Sequence, residues 1–188
     1  KFMEDPHAIQ CNLASNPLHE EQLDIVRMLG PVWGLNTVID EERDLVFVSF
    51  GDIIESHMAA VKFVRSAALI PVGRKFKTVV TSSAGHPLDK TYYQTIKGMV
   101  TPLDILEPGG TLIIASTCSE GFGSDHFRAA QDKLVAMGPS AFLEMLNAKT
   151  FADIDEWQTE MLLKPMRIGR ICLYTDGLSS GERIATGV

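Results

Sequence analysis

The stretch TVVTSSAGHPLDKTYYQTIKGM, residues 78–99, changes from strand-like to helix-like sequence within a few residues. Its first residues are β-branched and apolar, which is typical of a buried strand. A turn containing Gly85 and Pro87 follows, because glycine and proline interrupt regular structure. Asp89 is a good N-cap for a helix over residues 90–100, since its carboxylate can accept hydrogen bonds from the first free amides of that helix.

After this stretch, predicted strands and helices continue to alternate along the chain. EPGG (107–110) predicts a turn before the next strand, since it combines proline with two glycines. The later segments are predicted as strand, three helices and strand: TLIIAST (111–117), residues 125–137, 140–149 and 154–166, and RICLYTD (170–176). Strands that alternate with helices favour a layered α/β domain with a mainly parallel sheet flanked by helices.

The segments before residue 78 predict a different arrangement. Asn16 precedes Pro17 and an amphipathic pattern, which indicates a capped helix. LNTVID (35–40) and LVFVSFGD (45–52) are separated by EERD and predict a hairpin-like strand pair. Residues 53–67 have helical spacing. We therefore expect residues 1–188 to form a single α/β domain with an N-terminal hairpin-like strand pair.

Composition excludes several classes of protein. The chain has 188 residues, is 45% hydrophobic and 22% charged, and carries a formal net charge of −7. This acidic balance, without a basic run, argues against a nucleic-acid partner. No apolar run is long enough for a membrane helix, which argues against a membrane protein. Cys11, Cys118 and Cys172 are widely spaced, which predicts free, buried thiols in a reducing compartment and a cytoplasmic location.

Three similar loops follow the three strands of the predicted parallel sheet. They are SSAGHPLD (82–89), CSEGFGSD (118–125) and TDGLSS (175–180), and each contains glycine, serine and aspartate. In an open α/β sheet, ligands bind beyond the carboxyl ends of the strands. These loops therefore predict a ligand site at that edge of the sheet.

The helix after the first loop carries three candidate binding side chains. Lys97 lies three residues after Gln94 and four after Tyr93, so it neighbours both on a helix. Helical side chains lean toward the N-terminus, which here points to the predicted site. A cation, an amide and a phenol, together with the positive end of the helix dipole, suit a small hydroxy or keto acid. Ordinary surface positions remain the alternative interpretation.

Other motifs support a site less specifically. His86 is the one histidine in a candidate site loop, and it is either a substrate-binding residue or an ordinary loop residue. The five histidines have no HxxxH or HExxH spacing, which argues against a self-contained zinc site. EGFGSD (120–125) could approach a phosphate, although it lacks the third glycine of GxGxxG. The serines of the first loop are not in a GxSxG elbow.

Four stretches together resemble the nickel-pincer-nucleotide-dependent lactate racemase family, which includes other 2-hydroxyacid racemases and epimerases. They are GHPLDKTYYQTIKGM (85–99), NPLHEEQLDIV (16–26), FGDIIESHMAAVKFV (50–64) and EPGGTLIIASTCSEGFGSDHF (107–127). The first is similar to the family's turn, followed by Tyr-Gln and then Lys-Gly. The resemblance covers most of residues 10–130 and fades after them.

The resemblance implies two domains. In this family the N-terminal domain holds a nickel-pincer nucleotide through a lysine and a histidine ligand, and two further histidines act as acid and base. The C-terminal domain closes over the site and supplies substrate-binding groups, which by resemblance are Gln94 and Lys97, with Tyr93 lining the pocket. The implied reaction removes a hydride from C2 of the 2-hydroxy acid and returns it on the other face.

The chain departs from the family pattern in one respect. It offers no plausible set of cofactor lysine, metal histidine and acid–base histidines, and it begins with Lys1. We therefore expect a substrate-closing C-terminal domain of a longer protein, inactive alone, whose partner is the missing N-terminal cofactor domain. The alternatives are a non-catalytic domain that binds small carboxylates and a nucleotide-binding domain that uses EGFGSD (120–125).

Overall fold

A computed structural model describes residues 2–188. The chain divides into two compact units, which are essentially Glu4–Val72 and Gly73–Val188. The prediction that residues 1–188 form one substrate-closing domain of a longer enzyme stays a prediction.

The first unit contains a hairpin and two helices. Its elements are α1 (Pro17–Met28), β1 (Trp33–Ile39), β2 (Leu45–Asp52) and α2 (Ile53–Ala68), after a short 3-10 helix at Phe2–Glu4. Asn16 caps α1 as predicted, because its side chain accepts from the Leu18 amide at 3.1 Å. Asp52 caps α2 in the same way. The predicted hairpin is confirmed, since β1 and β2 pair antiparallel.

The second unit has the predicted alternation of strands and helices. Its elements are β3 (Phe76–Ser82), α3 (Tyr92–Val100), a 3-10 helix (Leu103–Ile105), β4 (Leu106–Ala115), α4 (Asp125–Met137), α5 (Pro139–Ala148), α6 (Glu156–Ile168), β5 (Arg170–Tyr174) and α7 (Ser180–Ala185). The strands are parallel in the order β3-β4-β5. The α/β fold class is therefore confirmed, with a three-stranded parallel sheet flanked by helices and a separate two-stranded sheet.

The EPGG segment (107–110) is not a turn between elements, and this part of the prediction is wrong. It lies inside β4 and causes a shift in its register with β3. A Cβ on Gly110 would lie 2.8 Å from the Lys77 carbonyl oxygen. The strand can pack closely against β3 here because glycine has no side chain. The proline and glycines that predicted a turn therefore serve close packing between two strands.

The core of the second unit lies between the sheet and its helices. Tyr92, Ile96 and Met99 of α3 are fully buried, and Phe127 of α4 and Leu162 of α6 pack into the same cluster. These residues recur at helical spacing, so each helix turns an apolar face inward. α3 is thereby held firmly at one position on the sheet.

The structure bears on two further predictions, the burial of the free cysteines and the lack of a membrane-spanning helix. All three cysteines are free, and Cys118 is buried, but Cys11 is exposed, so the prediction of burial is wrong there. Within residues 2–188, every helix is too short or too polar to cross a bilayer.

Candidate functional site

The three loops predicted to form a site meet at the carboxyl edge of the parallel sheet. Backbone hydrogen bonds join them in series. The Cys118 amide donates to the Asp89 carbonyl oxygen at 2.9 Å, and the Gly177 amide donates to the Thr117 carbonyl oxygen at 3.0 Å. The loops after β3, β4 and β5 therefore form one continuous surface, because parallel strands end on the same side.

Asp89 ties the first two loops together instead of capping α3. The cap is Thr91, whose hydroxyl accepts from the Gln94 amide at 3.3 Å. Asp89 is buried, and its carboxylate accepts from the Thr117 amide at 3.1 Å. The N-cap prediction for Asp89 is wrong, because the segment before α3 pairs with the neighbouring loop, where the Glu120 amide donates to the Lys90 carbonyl oxygen at 2.7 Å.

Tyr93 and Lys97 are in direct contact, as their spacing predicts. The Lys97 ammonium lies 5.6 Å from the centroid of the Tyr93 ring, which is the range of a cation–π interaction. Phe127 and Trp157 each meet the Tyr93 ring edge to face, at centroid distances of 5.2 and 5.9 Å. The ring is therefore fixed from two sides and presents a face to the exposed lysine.

The Tyr93 phenol is also held at its polar end. Burial raises the pKa of Tyr93 above its usual value, and the charge of Asp155 and a hydrogen bond to that carboxylate raise it further. Asp155 also accepts from the Ser124 hydroxyl at 2.5 Å. Because the phenol keeps its proton, it acts only as a neutral hydrogen-bonding group near neutral pH.

A cavity of about 310 Å³ opens beside this tyrosine. It is lined by the start of α3, the loop after β4 and the residue before α6: Thr91, Tyr93, Glu120, Gly123, Ser124 and Asp155. Gly123 is required here, because its φ is +129° and an added Cβ would lie 2.9 Å from the Tyr93 Cβ. The loop after β4 thus contacts the start of α3 more closely than any other residue type allows.

Two of the four predicted site residues, Tyr93 and Lys97, are in contact. Gln94 is half-buried on α3, and His86 is exposed in the loop before it. Among residues 2–188, no hydrogen bond, ion pair or ring contact joins His86 to Tyr93, Gln94 or Lys97. The structure therefore shows a Tyr93–Lys97 contact on one helix, and the binding roles of all four residues stay predictions.

Sequence reasoning missed Asp155 and Trp157, which support Tyr93 from α6 and its N-terminus. They lie more than sixty residues downstream in IDEWQ (154–158), which predicts only a helix start. Asp155 has a left-handed φ of +64°. No local pattern signals that placement, because it depends on how α6 packs beside α3.

The fold and the site define an α/β domain in which a helix beside the carboxyl end of a parallel sheet holds a lysine against an aromatic ring. Residues 73–182 match the family described as the lactate racemase C-terminal domain. The chain belongs to this family, which confirms the resemblance seen in the sequence. The family match extends to residue 182, beyond residue 130, after which the resemblance of the sequence motifs fades.

Individual relatives give the same result. The chain is 25% identical over 186 residues to the lactate racemase of Thermoanaerobacterium thermosaccharolyticum, covering 94% of this chain and 41% of the relative. It is 27% identical over 127 residues to the lactate racemase of Lactiplantibacillus plantarum, covering 68% of this chain and 30% of the relative. The chain thus spans less than half the length of these relatives.

A solved structure supports the fold. The lactate racemase apoprotein of T. thermosaccharolyticum superimposes with a TM-score of 0.92 at 24% identity, covering 100% of this chain and 45% of that chain. At this identity the likeness establishes the fold. Both units of the present chain therefore have counterparts in that protein.

Proposed function

We propose that this chain is the C-terminal part of a longer racemase or epimerase of 2-hydroxy acids, similar to lactate racemase. The family match over residues 73–182 carries the proposal. The position of α3 supports it, since Gly98, the residue after Lys97, packs against Ser82 and Ser83 at the carboxyl end of β3. Because three free thiols suit a reducing environment, we place the enzyme in the cytoplasm.

In this proposal Lys97 binds the substrate carboxylate through a charge-assisted contact. The Lys97 side chain is exposed, and its ammonium rests on the Tyr93 ring, so it is held near one position while remaining accessible. Gln94 binds a second substrate oxygen from the same helix. Tyr93 lines the pocket, and His86 approaches from the loop before α3.

The cofactor implied by the family is a nickel-pincer nucleotide. Residues 2–188 contain no group of three or more histidine, cysteine, aspartate or glutamate side chains placed to hold a metal ion. The described residues therefore do not fit the role of nickel site, and we assign the cofactor mainly to the N-terminal domain that this chain does not include. For the same reason we expect the 188 residues alone to be inactive.

The Lys97→Ala substitution in the full-length, cofactor-loaded protein tests the proposal. Losing a charge-assisted contact costs about 1.5–3 kcal/mol, so kcat/KM for the 2-hydroxy acid should fall roughly 10- to 150-fold. Polarimetry across a series of 2-hydroxy acids first identifies a substrate, and the variant is then measured on it.

Lys77→Ala is the matched control, because Lys77 is an exposed lysine at the opposite end of β3. The control should keep its kcat/KM. Equal activity of the Lys97→Ala variant and the control would remove Lys97 from the substrate site.

The alternative is a domain that binds small carboxylates without turnover. Its support is that the Tyr93–Lys97 pair is formed within this chain alone. Nickel analysis and polarimetry of the full-length protein distinguish the two functions. Stoichiometric nickel with racemisation favours the enzyme, whereas carboxylate binding without nickel or turnover favours the binding domain.

A further inference from the structure

The start of α6 holds Tyr93 by its backbone, its ring and its hydroxyl. The Gln158 side-chain amide donates to the Tyr93 carbonyl oxygen at 2.5 Å. Trp157 meets the Tyr93 ring edge to face at a centroid distance of 5.9 Å. The Asp155 carboxylate accepts a hydrogen bond from the Tyr93 hydroxyl. Neighbouring residues at one helix start therefore converge on a single residue of α3.

Asp155 occupies the position of a helix cap but does not act as one. It is the N-cap residue of α6, yet its side chain makes no capping hydrogen bond to that helix. Such a bond is the usual reason for an aspartate at this position. Its φ of +64° lies in the left-handed region, and residues held there are frequent at binding and active sites. Helix capping therefore does not explain this aspartate.

The Asp155 carboxylate binds two hydroxyl groups instead. One belongs to Tyr93, and the other belongs to Ser124, whose hydroxyl donates to the Asp155 Oδ2 at 2.5 Å. Ser124 is itself fixed as the N-cap of α4, since its hydroxyl accepts from the Phe127 amide at 3.1 Å. The carboxylate thus ties the Tyr93 hydroxyl to the start of α4, which limits movement of the ring.

The fixed ring carries the Lys97 ammonium. This ammonium lies 5.6 Å from the centroid of the Tyr93 ring. Within residues 2–188 it takes part in no ion pair, whereas the ammonium groups of Lys90 and Lys149 are paired with carboxylates. A cation–π contact at an exposed site is weak, so the ammonium is held only as well as the ring beneath it. The position of the ring therefore controls the position of a cation that is free to bind an anion.

We propose that Asp155 is a positioning residue for substrate binding, because its hydrogen bond fixes the Tyr93 ring that orients Lys97 toward the substrate carboxylate. Asp155 acts through Tyr93 and does not touch the substrate. A flexible lysine loses rotamer freedom when it binds a carboxylate, and a lysine already held on a fixed ring loses less. The inference rests on the proposed role of Lys97.

The competing explanation is that Asp155 only joins the start of α6 to the loop after β4. The hydrogen bond from Ser124 already makes that link, so the link does not require the second bond to Tyr93. The two explanations differ in one measurable respect. Only the positioning role makes the effect of Asp155 on substrate binding depend on Lys97.

Kinetics of the full-length, cofactor-loaded protein test the proposal. Asp155→Gly removes the carboxylate and tolerates the left-handed backbone. KM for the 2-hydroxy acid should rise about 3- to 10-fold with kcat within about twofold, because a contact made equally in ground and transition states is weakened. Asp155→Asn should bring KM back to within about twofold of the parent, since its amide oxygen still accepts from the phenol. In a Lys97→Ala background, Asp155→Gly should change KM by less than about twofold.

Titration of the Tyr93 phenol gives a second readout that involves no turnover. The charge of Asp155 and the hydrogen bond to it raise the pKa of Tyr93, so Asp155→Gly should lower that pKa. Two other charged groups face Tyr93 and are unchanged in the variant, since Lys97 lies on its ring and Glu120 lines the same cavity. The ultraviolet absorbance difference between each protein and its Tyr93→Phe counterpart isolates this phenol. Asp104→Gly is the matched control, because Asp104 is exposed and distant in sequence from the cavity residues; it should change neither KM nor the pKa.

Each outcome decides the proposal. A rise in KM that depends on Lys97, together with a lowered pKa of Tyr93, supports the positioning role. An equal rise in KM in the Lys97→Ala background overturns it, as does an unchanged pKa of Tyr93. An unchanged KM also overturns it when Lys97→Ala itself lowers kcat/KM. If Lys97→Ala has no effect, the substrate role of Lys97 fails first, and the positioning role fails with it.

Tyr93→Phe keeps the test decisive if Asp155→Gly does not fold. This variant removes the same hydrogen bond from its other end and leaves the ring in place. Its KM should rise about 3- to 10-fold in the parent and by less than about twofold in the Lys97→Ala background. An unchanged KM in the parent, or an equal rise in both backgrounds, overturns the proposal.

Discussion

The Gly98→Ala substitution should destabilise the protein, although the same change inside a helix is normally stabilising. Gly98 lies in α3 directly after Lys97, where the helix crosses the end of β3. An added Cβ would lie 2.8 Å from the Ser82 carbonyl oxygen, 3.0 Å from the Ile114 Cδ1 and 3.2 Å from the Ser83 hydroxyl. The closest of these atoms is backbone, so the helix itself must move.

Two opposing effects set the magnitude. Replacing a helical glycine with alanine gains about 0.5–1 kcal/mol from chain entropy. Overpacking a tight contact costs about 1–3 kcal/mol. The net loss in free energy of unfolding should therefore lie between about 0 and 2.5 kcal/mol, or about 1 kcal/mol at the midpoints of both ranges, which is a fall in Tm of up to roughly 10 °C. Because α3 carries Lys97, the proposed role of Lys97 in substrate binding predicts that kcat/KM falls as well.

Thermal unfolding of the full-length protein measures the effect, with Gly181→Ala as the control. Gly181 also lies in a helix, α7, but a Cβ there meets no atom within 4 Å. Its variant should therefore gain about 0.5–1 kcal/mol over the parent, because only the chain-entropy effect applies there. If Gly98→Ala raises Tm as much as the control or more, the close packing of α3 on β3 is refuted.

Two further predictions concern the same helix and its loop. Burial holds the pKa of Tyr92 well above its ordinary 10.0, so the neutral phenol is favoured in the folded state. The resulting stability is fully present below pH 10 and is lost as pH rises beyond it. In the Tyr92→Phe variant, the urea midpoint should therefore fall less steeply above pH 10 than in the parent. At pH 8 the variant should lose about 0.5–1.5 kcal/mol of unfolding free energy, because the hydrogen bond from the Tyr92 hydroxyl to the Thr186 carbonyl oxygen is removed. An unchanged slope of the urea midpoint above pH 10 would contradict this prediction. Asp89→Ala should lower the free energy of unfolding by about 1.5–3 kcal/mol, since its carboxylate accepts from the Thr117 amide, and a urea midpoint equal to that of the exposed control Asp104→Ala would count against it.

Local sequence patterns predicted most elements because each pattern reflects a local cause. Asn16 caps α1 because its side chain accepts from a nearby amide. The β-branched run before residue 83 forms β3 as expected. Predictions failed where a distant partner competed, as when the segment around Asp89 paired with the loop after β4.

The sequence by itself determined most of the helices and strands, the α/β class and the position of Tyr93 and Lys97 on one face of α3. Their spacing of four residues is a property of any helix, so no other part of the chain was needed. Only the tertiary structure decided what surrounds Tyr93, because Phe127, Asp155 and Trp157 come from elements far along the chain.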